Sequence, residues 1–194
     1  MDGVSVGDAP VVLLEGRSDI AAVRAAADVA EVDLSDVRLV DLGGITNIRS
    51  HLVALTHEAC GGEGPDAEHV LGMCDVGETR FVESALESTG HWVRDASDLP
   101  SAGFFVCVED LEDELLRALG IPRVLGVLDR LGLRGKLDAL AQQPAWRDRP
   151  LHEQLHRFAG VASGRKELLA AELTAELTPD ELPEPLRLLL DRLR

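Results

Sequence analysis

Residues 11–23 read VVLLEGRSDIAAV. Four apolar residues run straight into Glu15 and Gly16, and Asp19 follows one helical turn later. A short, unbroken apolar run stopped by glycine has the length and composition of a strand buried on both faces. The segment beyond it, SDIAAVRAAADVAEV, places Ile20, Val23, Ala27 and Ala30 on one helical face, with Ser18 expected as N-cap. Strand, tight turn and helix together form the opening unit of a parallel α/β sheet. Two carboxylates then sit at the seam between strand and helix. A solvated turn explains them in isolation, and a metal site explains them if other acids reach the same place.

The unit recurs along the first half of the chain. VRLVDLGG is a second strand stopped by glycine. TNIRSHLVALTHEAC repeats Ile48, Leu52 and Leu55 at helical spacing, with Thr46 or Asn47 in position to cap it. GGEGPDAE has the composition of a loop. HVLGMCDVGE is a third strand ending in acids, followed by the helix TRFVESALESTG. GFFVCVEDLEDELLRALG passes from a fourth strand into a helix through an acidic cluster. This alternation predicts an α/β core over residues 8–120, a parallel sheet flanked by helices. In such sheets functional groups gather beyond the carboxyl ends of the strands, where Glu15, Asp75 and the cluster from Glu109 to Glu114 would all lie. Residues 121–194 carry amphipathic helical patterns and no obvious strand. They predict a helical extension packed on the core, not an independent domain.

Composition bounds the function. The 194 residues are 45% hydrophobic with a mean hydropathy of +0.03, enough apolar side chain for a real core. Aromatic residues make up 3% and tyrosine is absent, so that core must be Leu, Val and Ala. The formal net charge of −16 repels a phosphate backbone, and a nucleic-acid substrate would need metal ions or a basic partner to offset it. Cys60, Cys74 and Cys107 are scattered and odd in number, which argues against a zinc site or a disulfide framework. Cys74 and Cys107 fall in apolar runs and read as small buried hydrophobes. The N-terminal MDGVSVGDAP lacks a cationic and apolar leader pattern, and no apolar run approaches the ~18 residues of a membrane span. A reduced, cytoplasmic setting without membrane contact is therefore expected.

Acids converging on one sheet edge must protonate or be neutralised by cations. Hard divalent ions such as Mg²⁺ or Mn²⁺ take oxygen ligands and retain waters for a phosphate substrate. The ordered set LLEGRSD, LGGITNIRSHL and LGMCDVGE resembles the Toprim domain shared by topoisomerases, primases and OLD-family (overcoming lysogenization defect) nucleases. The resemblance is closest to the OLD-type branch and to short stand-alone proteins described as Toprim nucleotidyl transferase/hydrolase domains. It extends through VCVEDLEDELLRALG and QQPAWRDRP to the late SGRK. It implies a Toprim-like fold and two-metal phosphodiester hydrolysis or nucleotidyl transfer in DNA repair or phage defence, with DNA ahead of RNA as substrate. Glu15 would be the strand-end glutamate that binds metal or moves a proton. Asp19 and Asp75 would be metal ligands, Asp110 and Glu112 would help hold a second ion, and Lys166 would meet charge on the phosphate. One departure stands out: the expected DxD reads Asp75-Val76-Gly77, so Glu78 is the residue left to replace the second aspartate.

Several alternatives are narrowed by what the chain lacks. With no tyrosine it cannot form a topoisomerase ester by itself, and with three cysteines it lacks a four-cysteine zinc module. There is no GxxxxGK[ST] loop, so any ATP dependence must come from a separate ATPase protein. A receiver-like signalling domain would want adjacent acids after its first strand, where Gly16 stands. His51, His57, His69 and His91 show no metal-protease spacing. His152 and His156 are four apart on one helix face, but have no third ligand nearby in sequence. Trp146 reads as a packing anchor. A catalytically weak or silent Toprim module, binding a partner in nucleic-acid processing, is the alternative that the −16 charge and Gly77 favour.

Overall fold

The computed structural model describes residues 9–60, 69–160 and 164–194, and the side chains of residues 58–60 are not described. Residue 8, the GGEGPDAE segment, Ser163 and the Cys60 side chain therefore lie outside the described residues. Four strands, β1 (Val11–Leu14), β2 (Arg38–Asp41), β3 (Val70–Asp75) and β4 (Phe104–Cys107), form one sheet in the order β2-β1-β3-β4 with every pairing parallel. Helices α1 (Arg17–Ala30), α2 (Ile48–Cys60), α3 (Thr79–Ser88) and α4 (Leu111–Leu119) alternate with them. Then follow α5 (Ile121–Arg130), α6 (Arg134–Ala141), α7 (Leu151–Gly160), α8 (Arg165–Ala175) and α9 (Glu184–Leu193). The fold is α/β, as the sequence pattern implies. Among the described residues no helix is long and apolar enough to cross a membrane.

The sheet is covered on both faces, which is why its strands read as continuous apolar runs and not as alternation. Val11, Leu13, Val70, Cys74 and Phe104 pack on one side with Ile48 and Leu52 of α2 and with Val82 and Leu86 of α3. Val12, Leu14, Leu71, Met73, Phe105 and Cys107 point to the other side. There they meet residues of α1, α4, α8 and α9, including Val23, Leu115, Leu169 and Leu186. The last two helices thus complete the core that begins with Val12. Cys74 and Cys107 are the small buried hydrophobes expected, and burial pushes the Cys74 thiol up to about 12.

Close approach of β3 to its neighbour strands requires glycine at position 72. A Cβ on Gly72 would stand 2.6 Å from Phe104 Cε1 and 3.0 Å from the Leu13 carbonyl oxygen.

Two local expectations are corrected. Ser18 is not the N-cap of α1: it lies inside the helix and is buried, while Gly16 occupies the cap position. The Gly16 N–H donates instead to Asp19 Oδ2 at 3.1 Å, so the carboxylate one turn on does the capping. Nor does Thr46 cap α2, because a 3₁₀ turn over Ile45–Asn47 precedes that helix. Asn47 turns backward, its Nδ2 donating to the carbonyls of Leu42 and Gly43. The left-handed glycines Gly43 and Gly44 have bent the chain there and left those carbonyls unpaired within the sheet. The stretch PRVLGVLDRLGLRGKLDAL is two helices, α5 and α6, separated at Gly132, whose φ of 66° ends the first.

Candidate metal centre

The strand order determines where the acids meet. The chain leaves β1 for β2 on one side, then crosses back to lay β3 on the other. The crevice at the carboxyl ends of β1 and β3 is therefore the topological switch point of the sheet. Glu15 is the first residue beyond β1, and Asp75 is the last residue of β3. A 3₁₀ turn over Val76–Glu78 folds Glu78 back beside them. One carboxylate oxygen from each of Glu15, Asp75 and Glu78 lies within 4.8 Å of the other two.

Such proximity is electrostatically costly. Burial, and then the charges of Glu78, Asp110, Glu15 and Asp19, push the Asp75 carboxyl up to about 8. Burial, then the charges of Glu15 and Asp19, raise Glu78 as well, with Lys166 opposing them. Glu78 Oε2 is buried and accepts no hydrogen bond. A set of oxygen donors, one with an orphaned buried oxygen and another held largely protonated at neutral pH, fits a hard divalent cation. Such a cation would be held by Glu15, Asp75 and Glu78. A side chain at Gly77 would meet nothing within 4 Å of its Cβ, so the missing aspartate leaves open space beside this triad.

A second group adjoins the first. Lys166, in the first turn of α8, places Nζ 3.3 Å from Glu112 Oε2 on α4. Burial works against its charge, but Glu112 and Asp19 together hold the ammonium above its ordinary range. Burial raises both Asp19 and Glu112 despite this lysine, and Glu112 Oε1 is buried with no hydrogen-bond partner. Asp19 is thus shared between capping Gly16 and an electrostatic group with Lys166.

The rest of the DLED segment is occupied. Asp110 caps α4, its Oδ1 accepting from the Asp113 N–H, and its Oδ2 lies 2.6 Å from His156 Nε2. Asp113 takes Arg117 Nε at 2.6 Å and His152 Nε2 at 2.7 Å. Burial opposes its ionisation, but these two partners hold its carboxyl below the usual range. Of the sequence-predicted residues, Glu15, Asp75 and Glu78 converge directly, while Asp19, Glu112 and Lys166 form the neighbouring group. Asp110 couples to Asp75 electrostatically while engaged with His156. His152 and His156 on α7, read from the sequence as a ligand spacing without a third partner, instead bridge to Asp113 and Asp110. Their four-residue spacing pairs them with two acids three apart, the cap of α4 and a residue of its first turn, a match that sequence spacing hints at without naming the partners.

No protein-family model and no curated protein matches this sequence. Solved structures do share its architecture. The C-terminal region of the Xanthomonas campestris pv. campestris OLD protein superposes with a TM-score of 0.67 at 24% identity, covering 96% of this chain and 92% of that one. The C-terminal region of the Burkholderia pseudomallei OLD protein gives 0.65 at 17% identity, over 96% and 97% of the two chains. The Toprim-type fold of OLD C-terminal regions is therefore the fold of this chain, as the sequence resemblance implied.

Proposed function

We propose that this chain is a divalent-metal-dependent nuclease domain that hydrolyses phosphodiester bonds. The observation that carries the reading is the convergence of Glu15, Asp75 and Glu78 at the switch point of the sheet, with a buried Glu78 oxygen left unbonded. Asp19 and Glu112, with Asp110 beside them, are the donors for a second cation. Bound divalent cations would supply Lewis acidity toward the scissile phosphate and its attacking water. Glu15, at the strand end, would bind a cation or accept the proton of that water. Lys166, held as an ammonium by Glu112 and Asp19, is placed to stabilise negative charge on the phosphate oxygens. DNA is favoured over RNA as substrate, and any ATP dependence would reside in a separate ATPase protein. The test is incubation with single- and double-stranded DNA and RNA in Mg²⁺ or Mn²⁺. Cleavage should vanish in Glu15→Gln and in Asp75→Asn, and cleavage surviving in both would remove this site from the mechanism.

A second reading has its own support. Glu112, Asp110, Asp113 and Glu114 each have a cationic or histidine partner, and Gly77 offers no carboxylate. A protein that holds one ion and cuts nothing, but binds a nucleic-acid-processing partner, would have this appearance. No cleavage on any of the four substrates, with tight binding to an ATPase partner, would favour it.

A further inference from the structure

Nine of the seventeen arginines form ion pairs among the described residues, Arg94, Arg117, Arg123, Arg130 and Arg134 among them. Arg17 and Arg24 are exposed and form no ion pair among the described residues. Both are on α1, seven residues or about 10.5 Å apart along the axis, and both line a groove of about 480 Å³ between α1 and α8. Asp28 and Glu167 line it too, without pairing to either arginine. Arg17 and Glu167 also border the next depression, of about 340 Å³, which holds Glu15, Asp19 and Lys166. Lys166 in turn borders a third, of about 430 Å³, lined by Trp146, His152 and His156 together with five carboxylates, Glu109 and Glu153 among them. Arg157 lies over the Trp146 ring, 5.8 Å from its centroid. Three depressions sharing lining residues thus make one trough, with unpaired arginines at one end, the acid and lysine group in the middle, and ring-bearing side chains at the other.

We infer that this trough is the path of a single nucleic-acid strand, its phosphates on Arg17 and Arg24 and an unpaired base against the rings beside Trp146. The inference rests on the nuclease reading for its choice of polymer. Two observations favour one strand over a duplex. A base can enter a ring-lined recess only when it is unpaired. A duplex also brings one negative charge per ~1.7 Å toward this −16 chain, twice the density of one strand. Arg17 and Arg24 would position the strand, and the rings would hold the nucleotide next to the bond above Lys166.

The test is fluorescence anisotropy of a labelled oligothymidylate and of a blunt duplex, with Ca²⁺ present and salt varied between about 50 and 200 mM, alongside Mg²⁺-dependent cleavage of the same molecules. Wild type should bind the single strand more tightly than the duplex. Arg17→Ala/Arg24→Ala should weaken binding roughly tenfold and flatten the salt slope by about 1.4, two phosphate contacts at ~0.7 each. Arg49→Ala/Arg192→Ala, which removes equal charge outside the trough, should leave the slope unchanged. Trp146→Ala should weaken binding by roughly 5- to 150-fold without altering the slope, and Trp146→Phe, which keeps a stacking ring and most of the packing volume, should restore most of it. Equal loss in the two arginine pairs, tighter binding of the duplex, or no binding at all would overturn the trough. Single-strand binding that depends on Arg17 and Arg24 without cleavage would sustain the trough and sink the nuclease reading. Cleavage indifferent to both arginines would do the reverse.

Discussion

His156 Nε2 stands 2.6 Å from Asp110 Oδ2, tying a helix of the C-terminal half to the acid that opens α4 at the end of β4. One turn away, His152 makes the same bridge to Asp113 at 2.7 Å. The mouth of the site is therefore held from two directions, by the strand ends beneath it and by α7 beside it.

Removing these bridges should loosen that wall. Asp113 has little solvent to replace a lost partner, with a side chain only 11% exposed, and a hydrogen bond lost by a buried acceptor costs about 1–3 kcal/mol. His152→Ala should lower the melting temperature by roughly 2–12 °C in a chain of this size. Because its partners hold Asp113 below the usual carboxyl range, the stability they give is present at neutral pH and fades as the acid protonates. The gap between wild type and variant should therefore shrink in acid. Calorimetric melts at neutral and acid pH check both statements.

Asp75 predicts the opposite pH trend. Its carboxyl is raised to about 8 in the folded chain from 3.8, so between those values the native state binds more protons than the unfolded one. Stability of the metal-free protein should fall as pH rises from about 4 to about 8, and Glu78, Asp19 and Glu112 are raised in the same direction. Mg²⁺ binding must displace those protons. The Mg²⁺-induced rise in melting temperature should therefore be larger at pH 8 than at pH 5, and Asp75→Asn should flatten the metal-free profile. Thermal melts across pH, with and without Mg²⁺, measure both. A metal-free profile that rises toward pH 8 would contradict the crowding of these acids.

The sequence exposed this site unevenly, for physical reasons. Strands β1, β3 and β4 are buried on both faces, so each left an unbroken apolar run, and the acids after them could be placed at one edge before any contact was known. The caps were not visible, because whether Ser18 or Asp19 serves Gly16 depends on the angle at which the chain leaves β1. The histidine bridges were not visible either. They join residues 39 and 46 positions apart, and nothing local to α7 reveals which face of α4 it meets. Lys166 attracted notice because only one other lysine, Lys136, is present, but its contact with Glu112 depends on how α8 lies against α4.

Gly72 should be intolerant of a side chain. In Gly72→Ala the new methyl would press on the Phe104 ring and on the Leu13 carbonyl of the neighbouring strand. The ring can shift, whereas the carbonyl belongs to the sheet. Overpacking of this kind costs about 1–3 kcal/mol, roughly 2–12 °C in melting temperature. Adding Phe104→Leu should recover part of that loss and not all of it. Full recovery would mean that the ring alone required glycine there.

Gly77 should behave in the contrary way. It lies in the turn between Asp75 and Glu78, its Cβ position is open, and its φ is outside the left-handed region. Gly77→Asp should therefore fold. In metal-free buffer the added charge joins an acid cluster that already raises Asp75, so the variant should melt below wild type. With Mn²⁺ the order should reverse, because a further oxygen donor beside Glu15, Asp75 and Glu78 strengthens the site that those acids form. A gain of about tenfold in Mn²⁺ affinity, about 1.4 kcal/mol, is the expected size by titration calorimetry. If the variant bound Mn²⁺ no better than wild type, the carboxylate at this turn would point away from the cation, and Glu78 would have to be placed in a different role.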